Sequence, residues 1–253
     1  MTDRVEGTGA DESSTADGLT ALSPAEGGDL LEGDDKARSV QSMFDRIAPR
    51  YDMVNRIMTF RLDVRWRRKA VRELGLADGS TVLDLACGTG DLCIDLLDAD
   101  LAPIGMDFSA GMLGSGRSGA PLAQADVLRL PVPDASFDGV TCGFALRNFT
   151  DLHAFFVELG RVTRPGGSIA LVDAAEPENR ILRFGHSIYF QKIVPKIGGL
   201  LSDKSAYGYL PKSLAYLPAP EEMIASLNSA GFNDARRQLL FGGAAQLITG
   251  TRS

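Results

Sequence analysis

A nearly unbroken apolar run, followed at once by a glycine-rich turn, constrains the fold of this chain more than any other feature. Residues 81–86 (TVLDLA) have the composition of a strand that is buried on both faces of a parallel sheet. The turn Cys87-Gly88-Thr89-Gly90 leads directly into a predicted helix at 91–97. A buried strand that joins a helix through glycines is typical of a doubly wound α/β sheet.

The rest of the chain continues the alternation of strands and helices. Further strands are expected at 104–108, 123–127, 137–143 and 167–174, helices at 110–117, 152–163 and 219–230, and two last strands at about 235–241 and 244–251. The segment 180–217 is expected to be helix and loop, broken at Pro195, Gly198 and Gly199. The sequence thus predicts a seven-stranded α/β sheet.

The region before the sheet divides into an acidic tail and a basic helical segment. Residues 1–35 hold ten acidic residues against one base, and residues 1–37 are predicted to be a disordered tail, either a solvated spacer or an acidic arm that binds a partner. Residues 38–253 then form one domain. Apolar residues from Val40 recur at helical spacing with an interruption at Pro49, and a third helix over 63–74 ends at Gly75.

Composition limits the classes of function. Three cysteines and two histidines make neither a disulfide framework nor a zinc site, and they favour a cytoplasmic protein without a metal. A membrane span and a signal peptide are not expected, and neither is a nucleic-acid partner. Although the chain has a net charge of -7, residues 36–72 carry eleven Lys and Arg against three Asp. The helix with Arg65, Arg67, Arg68, Lys69 and Arg72, and with Trp66 as an anchor, is predicted to bind an anionic membrane or else to be a solvated helix face.

The glycine-rich turn indicates which cofactor the sheet binds. Gly88 and Gly90 let the backbone approach a ligand closely. The third glycine of a dinucleotide fingerprint would fall at Cys93, and the Gly-Lys-Ser/Thr of a P-loop is absent, so NAD and nucleoside triphosphates are disfavoured. Asp84 and Asp91 at the two ends of the loop would repel a pyrophosphate, but they suit the amine and the sulfonium of S-adenosylmethionine.

Acidic residues after the next two strands fit the same cofactor. Asp107 is placed to accept hydrogen bonds from the two ribose hydroxyls, and Asp126 from the adenine amine. The alternative for Asp84 is a cap of the turn. Cys87 and Cys93 are interpreted as small buried hydrophobes rather than nucleophiles.

The chain from about Val40 onward resembles the ubiquinone and menaquinone biosynthesis C-methyltransferase family of class I S-adenosylmethionine methyltransferases. The matching stretches are 43–68 (MFDRIAPRYDMVNRIMTFRLDVRWRR), 82–92 (VLDLACGTGDL), 130–138, 143–151 (GFALRNFTD), 161–167, the 207–210 patch with Ser213, and 230–232. The resemblance implies a Rossmann-like sheet whose last strand is antiparallel, an N-terminal helical lid, and a polyprenylated quinol substrate such as demethylmenaquinol. The expected cofactor-binding residues are Asp84, Gly88, Thr89, Gly90, Asp107, Asp126, Val127 and Gly143.

Six positions depart from the family pattern in the half of the fold that normally shapes the substrate pocket. They are Gly143 for Ser, Ala174 for Phe in an Asp173-Ala174 pair, Lys212 for Glu, Ala215 for Arg, Leu217 for an aromatic residue, and Ile248 for His. A divergent member that methylates another phenol or a nitrogen atom is the alternative function. A catalytically silent binding protein is disfavoured by the intact cofactor loop.

The catalytic residues are expected near the ends of the fourth strand and of the lid. Methylating a ring carbon requires an electron-rich ring, and Arg147 is placed to stabilise a phenolate. Its alternative role is an ion pair with Asp151. Tyr51, Asp52 and Asn55 share one helical face and are expected to form a lid that excludes water, or else a helix cap with a packed tyrosine. A homo-oligomer and a peripheral position at the inner face of the membrane remain open.

Overall fold

The structure, a computed structural model, describes residues 33–253, so most of the predicted acidic tail lies outside the described residues. The first helix begins at Gly33, with Asp34 and Asp35 in its first turn, where acidic side chains favour a helix N-terminus. The expected boundary at residue 37 is therefore wrong, because residues 33–37 are helical.

A seven-stranded sheet forms the centre of the molecule. Its strands are β1 (Thr81–Leu85), β2 (Ala102–Asp107), β3 (Leu122–Gln124), β4 (Phe137–Gly143), β5 (Thr163–Ala174), β6 (Phe232–Leu240) and β7 (Ala245–Arg252). The order across the sheet is β3-β2-β1-β4-β5-β7-β6. The pairs among β1 to β5 are parallel, whereas β7 runs antiparallel to both β5 and β6. The predicted doubly wound, Rossmann-like α/β sheet is confirmed.

Ten α-helices lie in the described part of the chain. They are α1 (Gly33–Ile47), α2 (Tyr51–Met58), α3 (Leu62–Leu74), α4 (Asp91–Leu97), α5 (Ala110–Gly114), α6 (Leu152–Val162), α7 (Arg180–Ile188), α8 (Val194–Leu201), α9 (Lys204–Ser213) and α10 (Pro220–Ser229). Gly75 ends α3 in the left-handed conformation, as the sequence predicts. No helix among residues 33–253 is both long and apolar enough to cross a bilayer.

Successive strand residues face two different cores. Leu83 of β1 packs in a core that includes Phe155 of α6, whereas its neighbour Val82 packs in a second core with Leu74 of α3. This alternation follows from the two-residue period of a strand, and it buries the sheet on both faces.

The N-terminal helices form a third core, away from the sheet. Met43 and Ile47 of α1 pack with Val54 and Met58 of α2 and with Val194 of α8. Helices α1 and α2, the expected N-terminal lid, therefore pack against the helical insertion after β5.

The insertion after β5 differs from its prediction. The helical backbone continues without interruption from Arg180 to Leu201, because a π-helical turn at Tyr189–Ile193 joins α7 to α8. Pro195 lies in the first turn of α8, where a missing N–H costs little. The expected break at Pro195, Gly198 and Gly199 is therefore wrong.

Candidate active site

The loop between β1 and α4 makes a close-fitting cradle at the carboxyl end of the sheet. Gly88 and Gly90 have φ angles of +58° and +84°, which L-residues rarely adopt. A Cβ at Gly88 would lie 3.0 Å from Met112, and one at Gly90 would lie 2.8 Å from Ser118. Glycine is therefore required at both positions by conformation and by space.

Asp107 holds this loop by hydrogen bonds and still has carboxylate lone pairs that can accept further hydrogen bonds. Its carboxylate accepts hydrogen bonds from the backbone N–H of Gly88 (2.8 Å) and of Ser109 (2.7 Å). A carboxylate has about four lone-pair sites, so two remain for a pair of vicinal hydroxyls. Asp107 lines the cavity beside the loop, which fits the ribose role.

Asp84 is a buried acid beneath the loop. It accepts hydrogen bonds from Thr141 Oγ1 (2.9 Å) and Cys93 Sγ (3.4 Å), and burial raises its pKa to about 7. It also lines the cavity, where a cationic amine would favour its ionised form. All three cysteines are buried, and burial keeps the pKa of the Cys142 thiol well above its usual value, so the interpretation of the cysteines as small hydrophobes is confirmed.

Asp91, the second acid expected to face the cofactor, is already neutralised. Its carboxylate pairs with Arg56 (2.8 Å) and with Arg67 (3.1 Å). Arg67 is buried and also pairs with Asp63 and Asp95. Asp91 lines the cavity, as expected, but its charge is already shared with two arginines, and its role toward the cofactor stays a prediction.

The same ion pairs change the interpretation of the basic helix α3. Arg67 and Arg68 pair with Asp95, and Lys69 pairs with Glu73. Trp66 packs against Phe144 and lines the cavity, so it is not an interfacial anchor. Acids of α4 pair with Arg67 and Arg68, and Glu73 of α3 itself pairs with Lys69, whereas Arg65 and Arg72 are exposed. Less of the charge of α3 is therefore available to a membrane than the sequence indicates, and membrane binding through α3 stays a prediction.

The lid is attached to the cofactor loop by direct hydrogen bonds. Thr89 Oγ1 donates to Asp52 Oδ1 (2.7 Å), so the carboxylate of α2 reaches the loop instead of capping its own helix. Tyr51 and Asn55 line the same cavity as Asp52. The alternative of a helix cap is therefore wrong for Asp52, whereas the packed tyrosine is confirmed, since the ring of Tyr51 packs edge-on against Phe44. That the three residues exclude water stays a prediction.

Helix α1 supplies contacts that sequence reasoning missed. Asp45 accepts from Ser109 Oγ and from the backbone N–H of Gly111 (2.9 Å), which joins α1 to the segment after Asp107. Lys36 Nζ donates to the carbonyl of Phe149 (2.7 Å), and burial lowers its pKa to about 8. Asp45 lies inside the FDRIAPRYD stretch, which was the available signal for it, whereas Lys36 was assigned to the tail.

Arg147 lies in a short 3-10 helix, Leu146–Asn148, just beyond β4. Its Nη1 pairs with Asp173, which is fully buried at the end of β5, and its Nε donates to Ser213 Oγ (3.1 Å). Asp151 caps α6 by accepting from the N–H of Ala154 (2.8 Å), so the alternative pair of Arg147 with Asp151 is wrong. Nη2 has no protein partner among the residues that the structure describes.

The positive charge of Arg147 acts on two phenols near it. Burial raises the pKa of Tyr51 and of Tyr209, and the Arg147 charge opposes that rise in both. Tyr209 Oη also donates to Asn148 Oδ1 (3.3 Å). Arg147, Tyr51 and Asn148 all line the cavity, so a phenolic ligand would enter the same field.

The remaining predicted cofactor residues surround the cavity. Asp126 is exposed in the loop after β3, and one of its carboxylate oxygens accepts from the N–H of Leu128 (2.9 Å). Val127 is buried beside it, and Gly143 ends β4. The structure thus brings all eight expected cofactor residues to one edge of the sheet, and seven of them line the cavity; Gly90 lies in the turn behind it.

One cavity of about 940 Å³ extends from the cofactor loop to the lid and to α7. Its volume lies near the upper end of the range of about 300–1,000 Å³ for small-molecule sites. Of the six departures from the family pattern, Gly143 and Ala174 line it. Ile248 is in the sheet core, Leu217 packs against that core, and Lys212 and Ala215 are exposed, so the expectation that these four shape the pocket is wrong.

This sheet order, with its antiparallel last strand and its glycine cradle flanked by Asp84 and Asp107, defines a class I S-adenosylmethionine-dependent methyltransferase. A possible histamine N-methyltransferase of Thermotoga maritima has a similar fold, with a TM-score of 0.59 at 18% identity over 84% of this chain and 99% of that one. Phosphoethanolamine N-methyltransferase 2 of Haemonchus contortus, solved with S-adenosyl-L-methionine, matches with a TM-score of 0.55 at 13% identity over 74% of this chain and 52% of that one.

The family model described as the ubiE/COQ5 methyltransferase family matches residues 32–252. The demethylmenaquinone methyltransferase of Roseiflexus castenholzii is 40% identical over 227 residues, 87% of this chain and 95% of that protein. The ubiquinone/menaquinone biosynthesis C-methyltransferase of Geobacter sulfurreducens is 38% identical, covering 86% and 90%. The chain belongs to the ubiE/COQ5 methyltransferase family.

Proposed function

We propose that this protein methylates a ring carbon of a prenylated quinol, with demethylmenaquinol as substrate and menaquinol as product. The names of its relatives support this substrate class. The observation that carries the proposal is the position of Arg147, which Asp173 and Ser213 hold beside a cavity that also reaches the cofactor loop. Its positive charge opposes the rise that burial causes in the pKa of Tyr51 and Tyr209. A third phenol, from the substrate, would feel the same field.

The protein's part in the reaction is to bind, to orient and to make the ring electron-rich. S-adenosylmethionine, when bound, supplies an electrophilic methyl group. Asp107, Asp126 and Val127 are proposed to hold its nucleoside end, and Asp84 with the loop Gly88, Thr89 and Gly90 its amino acid end. Gly143, which ends β4 and lines the cavity, is proposed to lie beside the cofactor.

Arg147 is proposed to stabilise the phenolate of the quinol through the free Nη2 group. A phenol has a pKa near 10 in water, so the charge of a neighbouring guanidinium is needed to populate the phenolate at neutral pH. The pairing with Asp173 and Ser213 holds the guanidinium plane in place. A preoriented donor of this kind costs no reorganisation during the reaction.

Asp52 and Tyr51 are proposed to accept the proton that the quinol hydroxyl releases and to exclude water from the site. Burial raises the pKa of Asp52, which makes it a stronger proton acceptor than a surface aspartate. Its hydrogen bond to Thr89 closes the lid on the cofactor loop. The reactive ring is thereby separated from bulk water.

A second candidate function is methylation of another phenol or of a nitrogen atom. The specific observation in its favour is the small size of Gly143 and Ala174, which line the cavity where the family usually has Ser and Phe. These substitutions leave room for a bulkier acceptor.

Incubation with isotopically labelled S-adenosylmethionine distinguishes the candidates. The acceptors are reduced demethylmenaquinone, its oxidised form as the matched control, and a panel of water-soluble phenols and amines. We expect the label on a ring carbon of the reduced quinone alone, as established by mass spectrometry of the product. Labelling of an amine or a soluble phenol, with the quinol untouched, would contradict the proposal.

A further inference from the structure

The helical stretch Arg180–Leu201 carries exposed side chains that have no partner among the residues that the structure describes. Phe184, Ile188, Lys192, Lys196 and Leu200 follow one another at steps of four residues, so each is the neighbour of the next on the helix surface. Phe184 is 70% exposed and Leu200 is 85% exposed. We call these five residues the outer stripe.

The opposite side of the same stretch lines the cavity. Leu182, Gly185, His186 and Tyr189 face it, at the helical spacing of three and four residues. Tyr189 Oη donates to the carbonyl of Met58 (2.6 Å), which holds this stretch against the end of α2. None of the five residues of the outer stripe lines the cavity.

Two further phenylalanines continue the apolar surface at the rim of the cavity. Phe60 and Phe241 both line the cavity, and they are 73% and 69% exposed. Their φ angles of +53° and +46° lie in the left-handed region, which bulky residues rarely adopt. The backbone thus holds two aromatic rings in solvent at the entrance.

The charge of the stretch indicates which surface it meets. Residues 180–201 contain Arg180, Arg183, Lys192 and Lys196 and no acidic residue, although the whole chain has a net charge of -7. A helix with cations along one part and Phe, Ile and Leu along the rest is typical of helices that lie in the plane of a membrane interface. A second copy of the chain would oppose these lysines to like charges, because a two-fold interface pairs the same patch with itself.

We infer that the outer stripe, with Phe60 and Phe241, docks the enzyme on an anionic lipid bilayer and opens the cavity toward the hydrocarbon. This inference rests on the proposed function in one respect, that the substrate carries a prenyl chain. The chain then passes from the bilayer between the two phenylalanines, while the quinol ring reaches Arg147. In α3, by contrast, acids pair with three of the five bases.

Co-sedimentation of the full chain with vesicles of phosphatidylglycerol and phosphatidylcholine tests the docking surface. We expect the double variant F184E/L200E to bind at least about tenfold more weakly than wild type, because two apolar anchors become anions. K192Q/K196Q should bind roughly thirtyfold more weakly at low salt and show a smaller dependence on salt. The control L97E/V157E adds the same two charges at exposed apolar positions of α4 and α6, and should bind as wild type does.

Activity measurements separate this inference from the proposed function. F184E/L200E should methylate a water-soluble quinol without a prenyl chain at the wild-type rate, and lose at least about tenfold in rate on demethylmenaquinol embedded in vesicles. Wild-type binding to vesicles with no methylation of either quinol would contradict the proposed function and leave the docking surface supported. Equal vesicle binding by wild type and F184E/L200E would overturn the inference. It would also be overturned if wild type and the control variant sedimented as dimers and F184E/L200E as a monomer.

Discussion

Arg147 has both a structural role and a proposed catalytic role. It neutralises Asp173, which is fully buried, and it offers Nη2 to the cavity. Removing one partner of a buried pair is strongly destabilising, on the order of 3–5 kcal/mol, because the other charge stays buried. Stability and rate must therefore be measured on the same variants.

We predict that Arg147→Ala lowers the rate of methyl transfer by roughly two to three orders of magnitude, the scale of one lost oxyanion-type donor. Its melting temperature should also fall, since Asp173 loses its partner. Arg147→Lys should recover part of both quantities, because a point charge survives although the planar fork does not. Single-turnover kinetics on the folded fraction, with melting curves from the same samples, measure both.

Asp173→Asn serves as the matched control for that comparison. It removes the charge that Arg147 pairs with but keeps an acceptor oxygen and the guanidinium, so it should lower stability and should lower the rate less than Arg147→Ala does. A folded Arg147→Ala enzyme with a wild-type rate would remove Arg147 from the proposed catalytic residues and leave it a structural role.

Asp84 predicts how stability depends on pH. Burial raises its pKa from 3.8 to about 7, so in this interval the folded protein holds a proton that the unfolded chain releases. The free energy of unfolding must then decrease as pH rises through the interval, by an amount on the order of a few kcal/mol for this group. Asp84→Asn, which is neutral at every pH, should remove this part of the decrease.

Calorimetric unfolding of the ligand-free protein at several pH values between 3.8 and about 7 checks the prediction. Thr141→Val is the control, because it deletes one hydrogen bond to Asp84 and keeps the carboxyl group. If wild type and Asp84→Asn showed parallel pH profiles, Asp84 would be ionised throughout, and its proposed adaptation to a cationic amine would lose its support.

At the scale of elements, the lid depends on a few polar contacts between α1, α2 and the cofactor edge of the sheet. Asp45 joins α1 to Ser109 and Gly111, and Asp52 joins α2 to Thr89. Because Ser109 also donates its N–H to Asp107, the Asp45 contact is one step from the proposed ribose site. Lid closure and cofactor binding should therefore be coupled.

We predict that Asp45→Ala weakens S-adenosylmethionine binding by about tenfold, the equivalent of one charge-assisted hydrogen bond. Hydrogen exchange should become faster in α1 and α2 and stay unchanged in β4 and β5. The S-adenosylmethionine affinity of Asp45→Asn, which retains one acceptor oxygen, should lie between those of wild type and Asp45→Ala. Titration calorimetry that gives equal affinities for wild type and Asp45→Ala would show that the lid closes independently of the cofactor.

The elements that could be predicted from sequence are those whose pattern is local. The strand at 137–143 was predicted with the residues it has, since a buried apolar run needs no knowledge of its neighbours. The π turn at Tyr189–Ile193 was missed, because proline and two glycines indicate a break unless the preceding turn widens. The start of α1 was missed because residues 33–37 have the composition of the tail.

Side-chain pairing was the least predictable part of the site. The sequence placed Arg147, Asp107 and Asp84 at the correct edge of the sheet, but the ion pair that it offered as the alternative role of Arg147 was with the neighbouring Asp151 instead of Asp173. Asp91 appeared free because Arg56 and Arg67 are far from it along the chain. Spacing along one element predicts a shared face, whereas contacts between elements depend on how the helices pack.

At the scale of the whole molecule, the cavity is built from the lid, the ends of β4 and β5, and the helical stretch after β5. Ala174 lies where β5 ends, and in the family this position is usually Phe. A phenylalanine there would occupy part of the cavity near Gly143 without entering the sheet core. A larger side chain at this position should therefore affect the two candidate substrates differently.

We predict that Ala174→Phe retains kcat/KM on demethylmenaquinol within about threefold, because it restores the residue of the family pattern at this position, and a difference of this size is below 1 kcal/mol. Gly143→Ser is the control for a smaller change, since a Cβ there has its nearest neighbour, Val172, at 3.9 Å. Both variants should fold as wild type does, because the added atoms enter open space. The contrary result is a loss of more than about a hundredfold in kcat/KM on the quinol by Ala174→Phe alone, with wild-type affinity for S-adenosylmethionine. It would show that the enlarged cavity serves a bulkier acceptor, and the second candidate function would then replace the first.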